Sequence, residues 1–98
     1  MASMQPHALD QLWATVSSRK GADPASSWTA KLLSKGVNKC AQKVGEEGVE
    51  LALARMKDDS GEMANEAADL LFHMLVLLQD AGLELGDVIR VLQARHAS

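Results

Sequence analysis

Apolar residues recur along the chain at helical spacing, and polar turns separate them into five segments. Leu9, Leu12, Trp13 and Val16 stand three, four and seven apart, which predicts an amphipathic helix from Ala8 to about Ser18. The adjoining SSRKGADPASS is a loop by composition; Gly21 and Pro24 break regular structure, and Ser26 or Ser27 is placed to cap the next helix. Trp28 to Lys35 reads as a short helix with Trp28, Leu32 and Leu33 apolar and Gly36 as a stop or kink. A long helix is expected from about Asn38 to Lys57, its apolar surface supplied by Val37, Cys40, Ala41, Val44, Val49, Leu51, Ala52 and Met56. Lys57 to Gly61 is a polar turn in which Ser60 is a candidate cap. A second long helix is expected from about Glu62 to Ala81. Its second half, with Leu70, Leu71, Met74, Leu75, Leu77 and Leu78, is apolar nearly all round. Such a helix is covered on most sides, which in a chain this short implies a partner subunit. Gly82 ends it, and Leu85, Val88, Ile89 and Leu92 define a last helix ending near His96.

Composition agrees with this pattern. The 98 residues suffice for one domain, 1–98, with a small core. Apolar residues make up 47% of the chain, against 3% aromatic, so the core rests on Leu, Val, Ala and Met in an all-α fold. The net charge of −3 offers no electrostatic case for nucleic acid. No apolar run is long enough for a membrane span, and the N-terminus lacks the pattern of a signal peptide, so a cytoplasmic protein is expected. Cys40 is the only cysteine, so no internal disulfide forms; it reads as a small buried apolar residue. Trp13 and Trp28 read as core residues, although Trp28, beside lysines, also suits a nucleobase platform. His73 reads as a packed histidine rather than a ligand.

The candidate chemistry lies between Lys43 and His73. Glu46, Glu47 and Glu50 form one acidic cluster, with Glu47 and Glu50 on one helical stripe; Glu66 and Asp69 form a second stripe. An acidic stripe on a helix is ordinarily a solvated face. Here two stripes stand on consecutive helices joined by a short turn, which makes those helices antiparallel neighbours, and the second sits in the most apolar part of the chain. Together these features point to a metal site. The acidic clusters hold no Cys or His for zinc, and the Glu-x-x-His pairs of a di-iron bundle are absent. All-carboxylate ligation suits magnesium or manganese. Lys31, Lys35, Lys39 and Lys43 recur every four residues just before the acids, either as a solvated face or as point charges for a phosphate-rich substrate; Gly36 interrupts their register. A magnesium site beside lysines points to phosphate chemistry. Gly45 and Gly48 flank the Glu46–Glu47 pair, which calls for either close helix packing or room for a ligand.

The segments SWTAKLLSKGVNKCAQKVGEEGVELALA, EAADLLFHMLVLL and LGDVIRVLQAR resemble the phosphoribosyl-ATP pyrophosphohydrolases of histidine biosynthesis, within the MazG-like all-α nucleotide pyrophosphohydrolases. The resemblance covers roughly Leu9 to Arg95. The superfamily signature stands as Glu46-Glu47-x-x-Glu50 and Glu66-x-x-Asp69. The resemblance implies a helical bundle of about five helices whose core is completed by dimerisation. It also implies hydrolysis of phosphoribosyl-ATP to phosphoribosyl-AMP and pyrophosphate with Mg2+. Glu47, Glu50, Glu66 and Asp69 would be the metal ligands, with Glu46 and Glu47 in catalytic roles and Lys31, Lys39 and Lys43 as phosphate contacts. Trp28 and Phe72 stand where tyrosine is expected, which puts a hydroxyl contact at position 28 in doubt. The chain is too short for the cyclohydrolase domain fused to some members, so the next pathway step is expected on another polypeptide. Two rival readings are a house-cleaning nucleoside triphosphate pyrophosphohydrolase of the same fold and a non-catalytic helical dimerisation module.

Overall fold

The computed structural model describes residues 7–96. Five helices succeed one another: α1 (Ala8–Ser18), α2 (Trp28–Lys35), α3 (Val37–Met56), α4 (Ser60–Ala81) and α5 (Leu85–His96). No strand occurs among the described residues, so the all-α expectation holds.

The boundaries arise from capping chemistry. His7 precedes α1, and its Nδ1 accepts a hydrogen bond from Leu9 N at 3.1 Å. Of the two candidate serines before α2, Ser27 is the cap: its Oγ accepts from Ala30 N at 3.1 Å. Gly36, at φ 85 and ψ −172, stops α2 and starts α3 in a conformation that only glycine adopts without strain. Val37 therefore already belongs to α3. The lysine series is cut at the same point: Lys31 and Lys35 belong to α2, Lys39 and Lys43 to α3.

At the other end of α3, Asp58 takes the left-handed conformation at φ 57. Asp58 N donates to Arg55 O at 3.0 Å and Asp59 N to Ala54 O at 3.1 Å, the paired bonds of a Schellman ending. Ser60 is not the cap of α4. Asp59 is, its carboxylate accepting from Glu62 N at 3.0 Å, and Ser60 becomes the first helical residue. The chain turns early because an aspartate preceding the serine already satisfies the first-turn N–H.

The long α3 and α4 form the central pair, antiparallel across this tight turn. α2 packs against both, and α1 packs against α4. Val16, Leu32, Cys40, Leu75, Val76 and Leu85 bring one buried residue or more from each helix to a single core. Trp13 packs against it as expected, whereas Trp28 is 52% exposed and does not belong to the core. Cys40 is buried as expected, and its thiol donates to Leu32 O at 3.4 Å, fixing the corner between α2 and α3. Burial first, then the nearby Asp80 charge, raises the thiol pKa, which suits a packing role. Ser17 Oγ donates to Gln79 Oε1 at 2.9 Å and pins α1 to α4.

Candidate metal centre

The α3–α4 pair places the two acidic stripes face to face. Glu47, Glu66 and Asp69 each offer a carboxylate oxygen, and these oxygens lie within 4.8 Å of one another. Glu47 is 8% exposed, Glu66 is half-buried and Asp69 is exposed, so the cluster opens to solvent on the Asp69 side. Glu47 Oε2 and Glu66 Oε2 are buried with no hydrogen-bond partner. Such oxygens incur the desolvation cost without compensation unless a proton or a cation joins them.

Without a cation, a proton has to serve. Glu66 is pushed up to about 7, first because its protonated form can hydrogen-bond Glu47, then by burial, then by Glu50 and the two neighbouring charges. Glu50 thus belongs to the same acidic group, although its oxygens lie outside the tight Glu47–Glu66–Asp69 set.

Lys43 is the counter-charge. Its Nζ lies 3.4 Å from Glu46 Oε1 and 3.7 Å from Glu47 Oε1. Glu46 lies outside the tight set and accepts from Gln42 Nε2 at 2.9 Å. The Gln42 hydrogen bond is the largest effect and, joined by Lys43 and Lys39, holds its carboxyl below the ordinary range against burial, the second largest, which raises it. Sequence reasoning misses Gln42, although its position one turn before Glu46 is the available signal. His73 lies buried under the cluster, edge-on to Phe72 with ring centroids 4.9 Å apart. Burial first, then Lys43, lowers its pKa, while Glu47, Asp69 and Glu46 oppose the shift.

The candidate site residues therefore separate by position. Glu47, Glu66 and Asp69 converge, Glu50 adjoins them, and Glu46 and Lys43 form the rim. Lys39 acts on Glu46 through its charge. Lys31 stands apart on α2, its Nζ 6.0 Å from the Trp28 ring centroid. Close packing within the chain does not account for Gly45 and Gly48, since a Cβ at either would meet nothing within 4 Å.

The donor set fits a hard divalent cation. It consists of oxygens from facing helices, two of them buried and unpartnered, with one lysine to offset the charge. The model of the phosphoribosyl-ATP pyrophosphohydrolase family matches residues 9–96. The chain belongs to this family, an all-α, MazG-like family of hydrolases. It is 52% identical to the phosphoribosyl-ATP pyrophosphatase of Cereibacter sphaeroides over 90 residues, which is 92% of this chain and 87% of that protein. The phosphoribosyl-ATP pyrophosphatase of Jannaschia sp. is also 52% identical, with 92% of this chain and 88% of that protein covered. The histidine biosynthesis bifunctional protein HisIE of Photobacterium profundum is 54% identical over 88 residues, 90% of this chain. This chain spans 42% of that longer relative. No helix among the described residues is long and apolar enough to cross a membrane.

Proposed function

We propose that this chain hydrolyses phosphoribosyl-ATP to phosphoribosyl-AMP and pyrophosphate, the second step of histidine biosynthesis, using Mg2+ held by Glu47, Glu50, Glu66 and Asp69. The observation that carries this reading is the meeting of Glu47, Glu66 and Asp69, with two buried oxygens unpartnered, in a chain of this family. Magnesium, when bound, supplies charge neutralisation and polarisation of the phosphoryl oxygens.

The chain's own residues do the rest. Glu66 gives up the proton it holds to about pH 7 when a cation takes its place. Glu47 serves two ends, one oxygen toward the cation site and the other toward Lys43. Glu46, kept ionised by Gln42 and Lys43, is the carboxylate outside the ligand set, and it orients the attacking water and accepts its proton once Lys43 turns to phosphate. Lys43 balances Glu46 and Glu47 at rest and is placed to turn toward phosphate oxygens, with Lys39 one turn earlier and Lys31 on α2 as further phosphate contacts. The working unit is a cytoplasmic homodimer built on this one domain, with a small nucleotide as its ligand.

The test is pyrophosphate release from phosphoribosyl-ATP, measured beside ordinary and modified nucleoside triphosphates, with and without magnesium. Preference for phosphoribosyl-ATP and dependence on magnesium are expected. Preference for a triphosphate lacking the second ribose phosphate would move the assignment to a house-cleaning pyrophosphohydrolase. Glu47→Gln and Asp69→Asn are expected to cut turnover about a hundredfold or more with helicity retained by circular dichroism. Unchanged turnover in both would leave only a helical dimerisation module.

A further inference from the structure

We propose that the exposed Trp28 indole is the stacking platform for the nucleobase of the substrate, with Lys31 beside it as the cation for an adjoining phosphate. This inference rests on the nucleotide reading above and adds to it the group that holds the base.

Tryptophan is highly buried on average. The chain treats its two differently: Trp13 packs against the core, and Trp28, in the first turn of α2, stays 52% exposed. The exposed ring does not stand on a bare surface. With Pro24, Ala25, Ser26, Ser27 and Lys31 it lines an open groove of about 540 Å³, within the range of small-ligand sites. The groove wall is fixed by its own hydrogen bonds. Ser27 Oγ accepts from Ala30 N at 3.1 Å, Ser26 Oγ donates to Asp23 O at 3.0 Å, and Asp23 Oδ1 accepts from Ala25 N at 2.9 Å. A rigid wall keeps an aromatic face in place without ordering cost at the moment of binding.

Charge selects the occupant. The residues that line the groove include no acid, and the Asp23 carboxylate of its supporting turn is engaged by Ala25 N. Lys31 Nζ lies 6.0 Å from the ring centroid, and among the described residues Lys31, Lys35 and Lys39 enter no salt bridge. A π-face next to free ammonium groups suits a base that carries phosphates. Position agrees with that occupant. Cys40 touches Leu32 across the α2–α3 corner. From there the helix rise puts Trp28 about 6 Å along one arm and Glu47 about 10 Å along the other. The groove and the carboxylates thus stand on the two arms of one corner, the base being assigned to the α2 arm and the phosphate chain to the α3 arm. Every base offers a π-face, so this platform supplies affinity for the nucleotide, and the in-plane sugar substituent of phosphoribosyl-ATP does not obstruct it.

The test compares the wild type with Trp28→Ala and Trp28→Phe. Because Trp28 is half-exposed at the end of a short helix, both variants are expected to fold, which circular dichroism checks. For phosphoribosyl-ATP, Trp28→Ala is expected to raise KM about tenfold with kcat within about twofold, and Trp28→Phe to restore most of the loss. Independently of turnover, titration of magnesium with ATP is expected to quench tryptophan fluorescence in the wild type but not in Trp28→Phe, and magnesium with tripolyphosphate to quench neither. A wild-type enzyme that turns over while Trp28→Ala keeps its KM overturns the platform and leaves the activity standing. Should no substrate be hydrolysed, the activity reading fails, and the quenching by ATP alone still decides the platform. Quenching that tracks protein concentration rather than ATP makes the groove a contact between copies and overturns the inference.

Discussion

Glu66 keeps its proton to about pH 7 because Glu47 and Glu50 face it across the α3–α4 pair. In the unfolded chain the same carboxyl ionises near 4.5. Between those values the folded chain binds more protons than the unfolded one, so this group's contribution to stability falls as pH rises. It is fully present below about 4.5 and lost once the pH passes about 7. His73 acts in the opposite sense: burial and Lys43 lower its pKa, so below its ordinary 6.5 the unfolded chain takes the proton first and folding is disfavoured as pH falls. The two windows overlap, and Glu66→Gln isolates the first. Metal-free wild type is expected to lose melting temperature relative to Glu66→Gln between about pH 5 and about pH 7, and magnesium is expected to flatten the wild-type profile by displacing the proton. Melting curves by circular dichroism decide this. Parallel profiles for the two proteins would mean that no shared proton sits in the cluster.

At the level of the helices, the turn between α3 and α4 sets the register of the two acidic stripes, and its stop and start are both built from aspartates. Asp58 supplies the left-handed residue that ends α3, and Asp59 caps α4 through Glu62 N. Asp59→Ala is expected to lower unfolding stability in urea by about 1 kcal/mol, and Ser60→Ala by a few tenths at most. Equal losses would return the capping role to Ser60. The same turn separates what is legible in the sequence from what is not. Apolar periodicity locates all five helices, since tertiary packing here reinforces helix propensity throughout. The ends are less legible, because Ser60 and Asp59 both carry capping oxygens and only the backbone geometry chooses between them. At the site, Glu47, Glu66 and Asp69 are readable because helical spacing puts each stripe on one face. The bond from Gln42 to Glu46 is not, although it obeys the same spacing, since a polar neighbour carries no signal until the acid it serves is placed. Trp28 goes the other way. Its apolar character suggests core, but the first turn of α2 leaves it facing the groove rather than the bundle.

The whole molecule is more open than a self-contained domain of its length. Its radius of gyration is 14.9 Å. Compact chains of this size fall at about 12–13 Å. Large apolar side chains stay exposed in groups rather than singly. Val49, Leu53 and Met56 form a stripe on α3 at spacings of four and three, and Ile89 and Leu92 form another on α5. The α3 stripe continues into the face that carries Gln42, Gly45, Glu46 and Glu50, which together with Val49 and Leu53 line one groove beside the acidic cluster. A second copy covering this face would bury the apolar stripe and close the site on the Glu46 side, and it would use the open space above Gly45 and Gly48. The proposed homodimer would therefore tie assembly to catalysis. Sedimentation equilibrium at micromolar concentration is expected to give twice the 10.5 kDa of one chain. Leu53→Asp puts a charge into the middle of that stripe and is expected to give monomers, a melting temperature that no longer depends on protein concentration, and loss of turnover even though no carboxylate or lysine of the site has been changed. A wild type that sediments as a monomer, or a Leu53→Asp variant that stays dimeric and active, would place the covered face elsewhere and leave the carboxylates to work within one chain.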